Sequence, residues 1–373
     1  MGIRFALARH DDVMRALLAL VVAFALLTEP TGALASGPKR HHKAKGAGSR
    51  GTHHARGKAD HRGRTRHDRG KADHPRRTRH GIHVPGAPAA TASRYMTHTN
   101  RHRSFQLGCS MGSRVPQGRQ RRDALVILDY GRPMHHKGRF GTSAFGPFRT
   151  IPQIATSVQE YARGYVRCAG RHATSRLRIG VGTSNYGRDV TYRHGQMWGV
   201  LVEHVNHGLA SRNMADRVVA TGANDIEPGW RGPVATRRWI RGYASRTRMP
   251  YYDFGGAAGC PPYDNCLGDW TMEDVWYVAW GSGLGIPLPE VYAESGINAR
   301  QWYELSLYAY RHHRERMRIA GVMSQAGACK GHTGCAGLRN SPGRAYAQLY
   351  RALNADPRTA QPLRWVTDIT WRN

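Results

Sequence analysis

Asp225 and Glu227 stand two residues apart in the stretch Ala223-Asn224-Asp225-Ile226-Glu227-Pro228-Gly229-Trp230. The apolar run Val218-Val219-Ala220-Thr221 precedes them and Pro233-Val234-Ala235-Thr236 follows, so they fall where a strand passes into a strand-to-helix loop. Side chains alternate along a strand, which puts both acids on one face and Ile226 on the other. Two residues of strand rise hold their Cα atoms about 6.7 Å apart. Paired carboxylates at a strand end suit proton transfer in glycosidic hydrolysis. Glu227 is the candidate general acid, its pKa raised by burial and by Asp225. Asp225 in turn is the more accessible to Arg or backbone donors. Asp129 or Asp253, across the mouth of a barrel, is the candidate nucleophile, base or orienting group. Read structurally, the same acids cap the next helix or pair with arginine.

The elements that must position these residues begin at about residue 122. Strands are predicted at 124–129, 177–181, 218–224, 250–254, 275–280, 289–292, 319–323 and 363–369, with helices at 152–168, 191–209, 234–245, 298–313 and 342–354. Eight strands with intervening helices over about 250 residues is the pattern of a (β/α)8 TIM barrel, here somewhat irregular between strands 4 and 6. An open doubly wound sheet is the alternative, but no glycine-rich fingerprint follows the first strand. Active-site groups of such a barrel lie at the C-terminal strand ends. This adds Tyr130, Asn185, Trp230, Tyr251, Trp280, Glu290 and Gln325 as candidate substrate contacts, the aromatic faces matching the apolar C–H faces of sugars. Core packing is the competing explanation for each ring taken singly. There is no G-x-S-x-G turn and no H-E-x-x-H, so neither a serine nucleophile nor a metal is expected, and no cofactor is.

The chain of 373 residues carries a net charge of +31. Residues 37–103 hold 18 Lys/Arg against 3 Asp, and the remainder is basic as well. Anionic partners follow: a polysaccharide or an anionic cell-wall polymer, with no specific nucleic acid. Arg4, Arg9 and Arg15 precede an apolar run that ends at Ala33-Leu34-Ala35, which reads as an export signal over 1–35. Residues 36–103 read as a disordered basic His/Arg-rich tail, in which Gly57-Lys58-Ala59-Asp60-His61 recurs as Gly70-Lys71-Ala72-Asp73-His74. Residues 104–373 form the barrel domain. No later stretch is apolar enough to span a membrane, so a secreted or wall-associated monomer is expected.

Six cysteines fit an oxidising compartment. They permit 15 pairings. The equal spacings of Cys260/Cys266 and Cys329/Cys335 suggest two local staples, which leaves Cys109 to join Cys168.

The segment Asn224 to Trp230 resembles the strand-end D-x-E of glycosidase-like barrels, including chitinase-type and lysozyme-type enzymes. From about residue 123 to 371 the chain is similar to a group of secreted actinobacterial barrel proteins of unassigned function. The stretches that carry this likeness are Asn224-Asp225-Ile226-Glu227, residues 251–260, Trp280-Gly281, Pro287-Leu288-Pro289-Glu290-Val291-Tyr292, residues 356–361 and Thr367-Asp368-Ile369. The resemblance implies a secreted glycoside-hydrolase-like barrel. Its alternative is a barrel that binds carbohydrate or wall polymer without turnover. The longer chitinase signature is not met, since Ala223 stands where that signature needs an acid.

Overall fold

The structure, a computed structural model, describes residues 82–116, 120–262 and 265–371. The expected export signal and the repeats of the basic tail lie outside the described residues. What is described is a (β/α)8 barrel. Its eight strands are β1 (Thr91–Tyr95), β2 (Ala124–Asp129), β6 (Leu177–Ser184), β7 (Val218–Asp225), β8 (Tyr251–Asp253), β9 (Gly285–Pro287), β10 (Gly321–Ser324) and β11 (Trp365–Thr370). All neighbours are parallel, in the order β10-β11-β1-β2-β6-β7-β8-β9. A parallel bridge between Glu290 and Met323 joins the two ends of this sheet and closes the barrel. A small antiparallel sheet of β3 (Pro133–His136), β4 (Arg139–Thr142) and β5 (Arg149–Thr150) is inserted after β2. The crossovers run through α1 (Arg101–Gly112), α2 (Ile151–Ala169), α3 (Tyr192–Ala210), α4 (Pro233–Ala244), α5 (Met272–Trp276), α6 (Ile297–His313) and α7 (Pro342–Asn354).

Two expectations are corrected. The first barrel strand is β1, which falls inside the stretch assigned to the tail, so the domain begins before residue 104. Its interior face is polar, and an apolar run never signals it. Ser93 shares a 2.6 Å hydroxyl hydrogen bond with Thr367 and accepts the Ile127 N–H at 2.8 Å. The second correction concerns residues 275–280, expected as a strand. They lie in α5 and in one π-helical turn, Tyr277–Gly281. Short apolar runs suit either a buried strand or a buried helix. Here Thr271 settles the choice, capping Asp274 N–H while Asp274 reaches back to the Thr271 N–H. The irregularity expected in this part of the barrel is present, but the strand itself is the three-residue β9.

Alternation along the strands sorts the core into two layers. Leu125, Ile127, Ala223, Tyr252, Met323 and Ile369 fill the barrel interior, while Val126, Ile179, Val202, Trp239 and Leu349 pack between sheet and helices. Gly180 makes the interior layer fit, since a Cβ there would lie 2.4 Å from the Ile127 Cδ1. Gly182 does the same one layer higher, where a Cβ would stand 2.9 Å from the Asp129 Cα.

The three disulfides are Cys109–Cys168, Cys260–Cys266 and Cys329–Cys335, the pairings the spacing suggested. The first ties α1 to α2, which approach closely at Gly108 and Gly164. It spans 59 residues against 6 for each of the others. Loop-closure entropy therefore predicts a loss of about 4 kcal/mol for Cys109→Ser/Cys168→Ser and about 2 kcal/mol for removing either local staple. Denaturant titration of the paired Ser variants checks the order. A local-staple variant that costs more than the long-loop variant contradicts it.

Candidate active site

β7 delivers Asp225 to the barrel interior, because Ala223 two residues earlier belongs to the interior cluster. Ile226 turns outward and is buried at 1% exposure among the sheet–helix residues. Glu227 returns to the interior side. Its backbone is clamped by Asn185, whose Oδ1 accepts the Glu227 N–H at 3.0 Å and whose Nδ2 donates to the Glu227 carbonyl at 3.1 Å. Asn185 is fully buried and so is a positioning group, not the substrate contact expected from its place after β6.

Glu290 reaches the same spot from the segment after β9. It is hydrogen-bonded to Glu227 and to the Tyr292 hydroxyl, and Tyr292 is in turn hydrogen-bonded to Tyr95. Carboxylate oxygens of Asp225, Glu227 and Glu290 all lie within 4.8 Å of one another. Gly256 seals one side: a Cβ there would meet the Glu290 Oε1 at 2.8 Å and the Glu227 Oε2 at 2.9 Å. These three acids are half-buried, ringed by protein but still reached by solvent at the mouth.

Burial raises the pKa of every acid here. Glu227 is pushed well above the ordinary range by burial, then by the Glu290 charge and hydrogen bond, then by Asp225 and Asp253. Asp225 is also pushed well up, by burial and by the Glu290, Asp129 and Asp253 charges. Its Oδ1 is buried without a hydrogen-bond partner, which corrects the expectation that Arg or backbone donors would meet it. Glu290 is raised by burial, with its hydrogen bonds from Glu227 and Tyr292 acting the other way. Burial and their mutual charge therefore favour holding a proton between the two glutamates, with the stronger upward push on Glu227. The three oxygens could also converge on one hard cation, which takes carboxylate ligands.

The structure divides the other expected residues. Asp129 closes β2, is 2% exposed, accepts the Gly131 N–H at 2.9 Å and is raised by burial to about 7. Its β1 partner in register is Tyr95, on the interior face. Asp253 lies between Tyr252 and Phe254, both interior, and so projects to the opposite face. It accepts backbone N–H groups of Gly255 and Ile226, and burial raises it to about 8. Its place is in holding the loops around Glu227 rather than facing the cavity. Tyr130 and Tyr251 are core residues of the outer layer. The Tyr130 hydroxyl donates to Ser157 at 2.8 Å, and the Tyr251 hydroxyl donates to the Val278 carbonyl. Trp280 sits at the other end of the barrel, its Nε1–H donating to Glu315 at 3.2 Å. Gln325, buried, continues the interior parity of Met323 past the end of β10. Trp230 does lie at the rim, edge-on to Tyr186 at 5.5 Å.

Four functional candidates went unrecognised in the sequence. Tyr292 has a visible signal, since it follows Glu290 by one strand period. Tyr95 stacks on Trp371 at 4.2 Å, and Phe145 meets both rings edge-on at 5.3 and 4.9 Å. Phe145 and Ala144 carry positive φ of 56° and 41°, an uncommon conformation for residues with side chains. That loop brings the Phe145 ring over the mouth from the inserted sheet, a placement no local pattern announces. The chain matches no protein-family model and no curated protein sequence.

Proposed function

We propose that the protein is a secreted glycoside-hydrolase-like barrel acting on a polysaccharide. The observation that supports this most is the convergence of the Asp225, Glu227 and Glu290 carboxylates within 4.8 Å of one another, beside an Asp225 oxygen with no partner. In this reading Glu227 gives its proton to the glycosidic oxygen as the bond to the anomeric carbon breaks. Asp225 must first give up to solvent the proton that burial favours on it; its carboxylate then attacks that carbon, and a covalent glycosyl ester forms. The leaving sugar departs with the proton. Glu227, now a carboxylate, takes a proton from water, which cleaves the ester and regenerates both acids. Oxygens within 4.8 Å leave no space for a water between donor and base, so the reading includes retention of anomeric configuration. The Tyr95, Phe145 and Trp371 rings on one side and Trp230 with Tyr186 on the other offer flat faces to sugar units. Three disulfides suit an exported protein, and no helix among the described residues is long and apolar enough to cross a membrane. The D-x-E stretch and the barrel form support placing the chain beside the secreted actinobacterial barrels it resembles.

The test is incubation of the protein with a panel of labelled wall and environmental oligosaccharides, with the first-formed anomer read by NMR. Cleavage with the retained anomer is expected. An inverted product would remove Asp225 from the nucleophile role. Binding with no cleavage across the panel would favour the non-catalytic barrel.

A further inference from the structure

The two ends of the barrel differ in charge. The mouth cavity gathers carboxylates beneath loops of mixed charge that carry Arg132, Arg188 and Arg231, whereas the opposite end holds many arginines and few acids. Arg122, Arg176, Arg217, Arg248, Arg318 and Arg364 each lie within three residues of the start of a barrel strand. In a parallel barrel all these helix-to-strand loops lie on one face, so the six arginines ring the floor. All but Arg217 are exposed. Arg176, Arg248 and Arg318 spend their guanidinium groups on no hydrogen bond or ion pair among the described residues. Four acids share these loops, Asp123, Asp216, Glu315 and Asp356. Asp123 is already met by Arg121 and Arg364 at 2.8 and 3.0 Å, and Asp356 by Arg358 at 2.5 Å.

Residue type narrows the partner. Only Lys137 and Lys330 represent lysine among the described residues, so the positive charge is almost wholly guanidinium. Guanidinium presents a planar fork that fits phosphate oxygens two at a time, whereas lysine serves as a point charge. The floor is also concave. An open hollow of about 750 Å³ is bordered by Trp280, Glu315, Arg316, Arg318 and Gln361, and a second of about 420 Å³ by Arg121, Arg364 and Trp365 with Asp123, which pairs with both arginines.

We infer that this floor is a docking surface for a phosphodiester-linked polymer without bases, held by the arginine ring while the acidic mouth faces away. A single-stranded nucleic acid is another polyphosphodiester, but it binds best where aromatic faces are free for stacking. Here Trp365 is buried beneath the Arg364 guanidinium at 4.4 Å, and Trp280 is tied to Glu315. The three disulfides fit an oxidising compartment, away from the intracellular nucleic-acid pool.

The experiment titrates the full-length protein with poly(glycerol phosphate) chains over a series of salt concentrations. Wild type is compared with an Arg176→Gln/Arg248→Gln/Arg318→Gln variant. Removing one arginine–phosphate pairing lowers the slope of log K against log salt by about one. The triple variant should bind at least about tenfold more weakly and with a slope smaller by about three units, with Glu227→Gln binding as wild type. Unchanged affinity and slope in the triple variant would overturn the inference, leaving the basic N-terminal segment as the binding element. If the triple variant does not fold, Arg248→Gln alone must lower the slope by about one. Single-stranded DNA binding more tightly than the polymer, with the same dependence on the three arginines, would also overturn it, in favour of a nucleic-acid floor.

Discussion

Glu227→Gln is expected to lower kcat by about a hundredfold or more on any glycan the protein cleaves, the usual scale for loss of a general acid. The amide keeps the size of the side chain and can still donate to Glu290, and Asn185 holds only the Glu227 backbone. Folding should therefore be retained, with an unchanged circular dichroism spectrum. The companion variant Glu290→Gln separates chemistry from packing. After burial, the Glu290 charge and hydrogen bond are what raise the Glu227 pKa, so removing that charge lowers it. A general acid works only while protonated, so activity falls as pH rises through that pKa. The basic limb of the kcat/KM profile should accordingly move to lower pH in Glu290→Gln, with activity surviving on the acid side. A uniform loss at every pH, with the limb in place, would mean that Glu290 only supports the fold. Full activity in Glu227→Gln would end the acid assignment altogether.

Period-two alternation is enough to foresee Asp225, Ile226 and Glu227, because it depends only on strand geometry. The barrel is likewise legible from the spacing of apolar runs, wherever strands are buried on both faces, as β2 is along its whole length. What the sequence conceals falls into two physical groups. Strand β1 pairs through hydroxyl-bearing interior residues, and so its pattern is that of a polar linker. The pair joins residues 227 and 290, which are far apart in sequence and are brought together by the side-by-side pairing of β7, β8 and β9. Strand ends alone could nominate both acids but could not reveal that they touch. Aromatic type misleads for a related reason. Tyr130, Tyr251 and Trp280 end or follow apolar runs as rim residues would, yet each finds a buried or remote partner for its polar atom.

Stability should fall as pH rises from about 5 to about 8, opposite to a protein whose acids are mostly ion-paired. Asp129 and Asp253 are each 2% exposed, and burial lifts them from 3.8 to about 7 and about 8. A folded-state pKa above the unfolded value gives stability that is complete below the unfolded pKa. That stability is lost as pH climbs through the folded pKa, because the unfolded chain gives up the proton first. At 1.36 kcal/mol per unit, the Asp129 shift amounts to about 4 kcal/mol between about pH 4 and 7. Asp123 and Glu160 act in the other direction, held low by Arg121 and by Arg101 with Arg163. Their contribution disappears as pH falls below about 4, which leaves a stability maximum at about pH 4. Asp129→Asn removes one titration and keeps an oxygen for the Gly131 N–H. At pH 8.5 this variant should be more stable than wild type by a few kcal/mol, while at pH 4.5 the two should nearly coincide. Thermal unfolding of both proteins between pH 4 and 9 measures the difference, and two parallel curves would show that Asp129 does not hold its proton in the folded barrel.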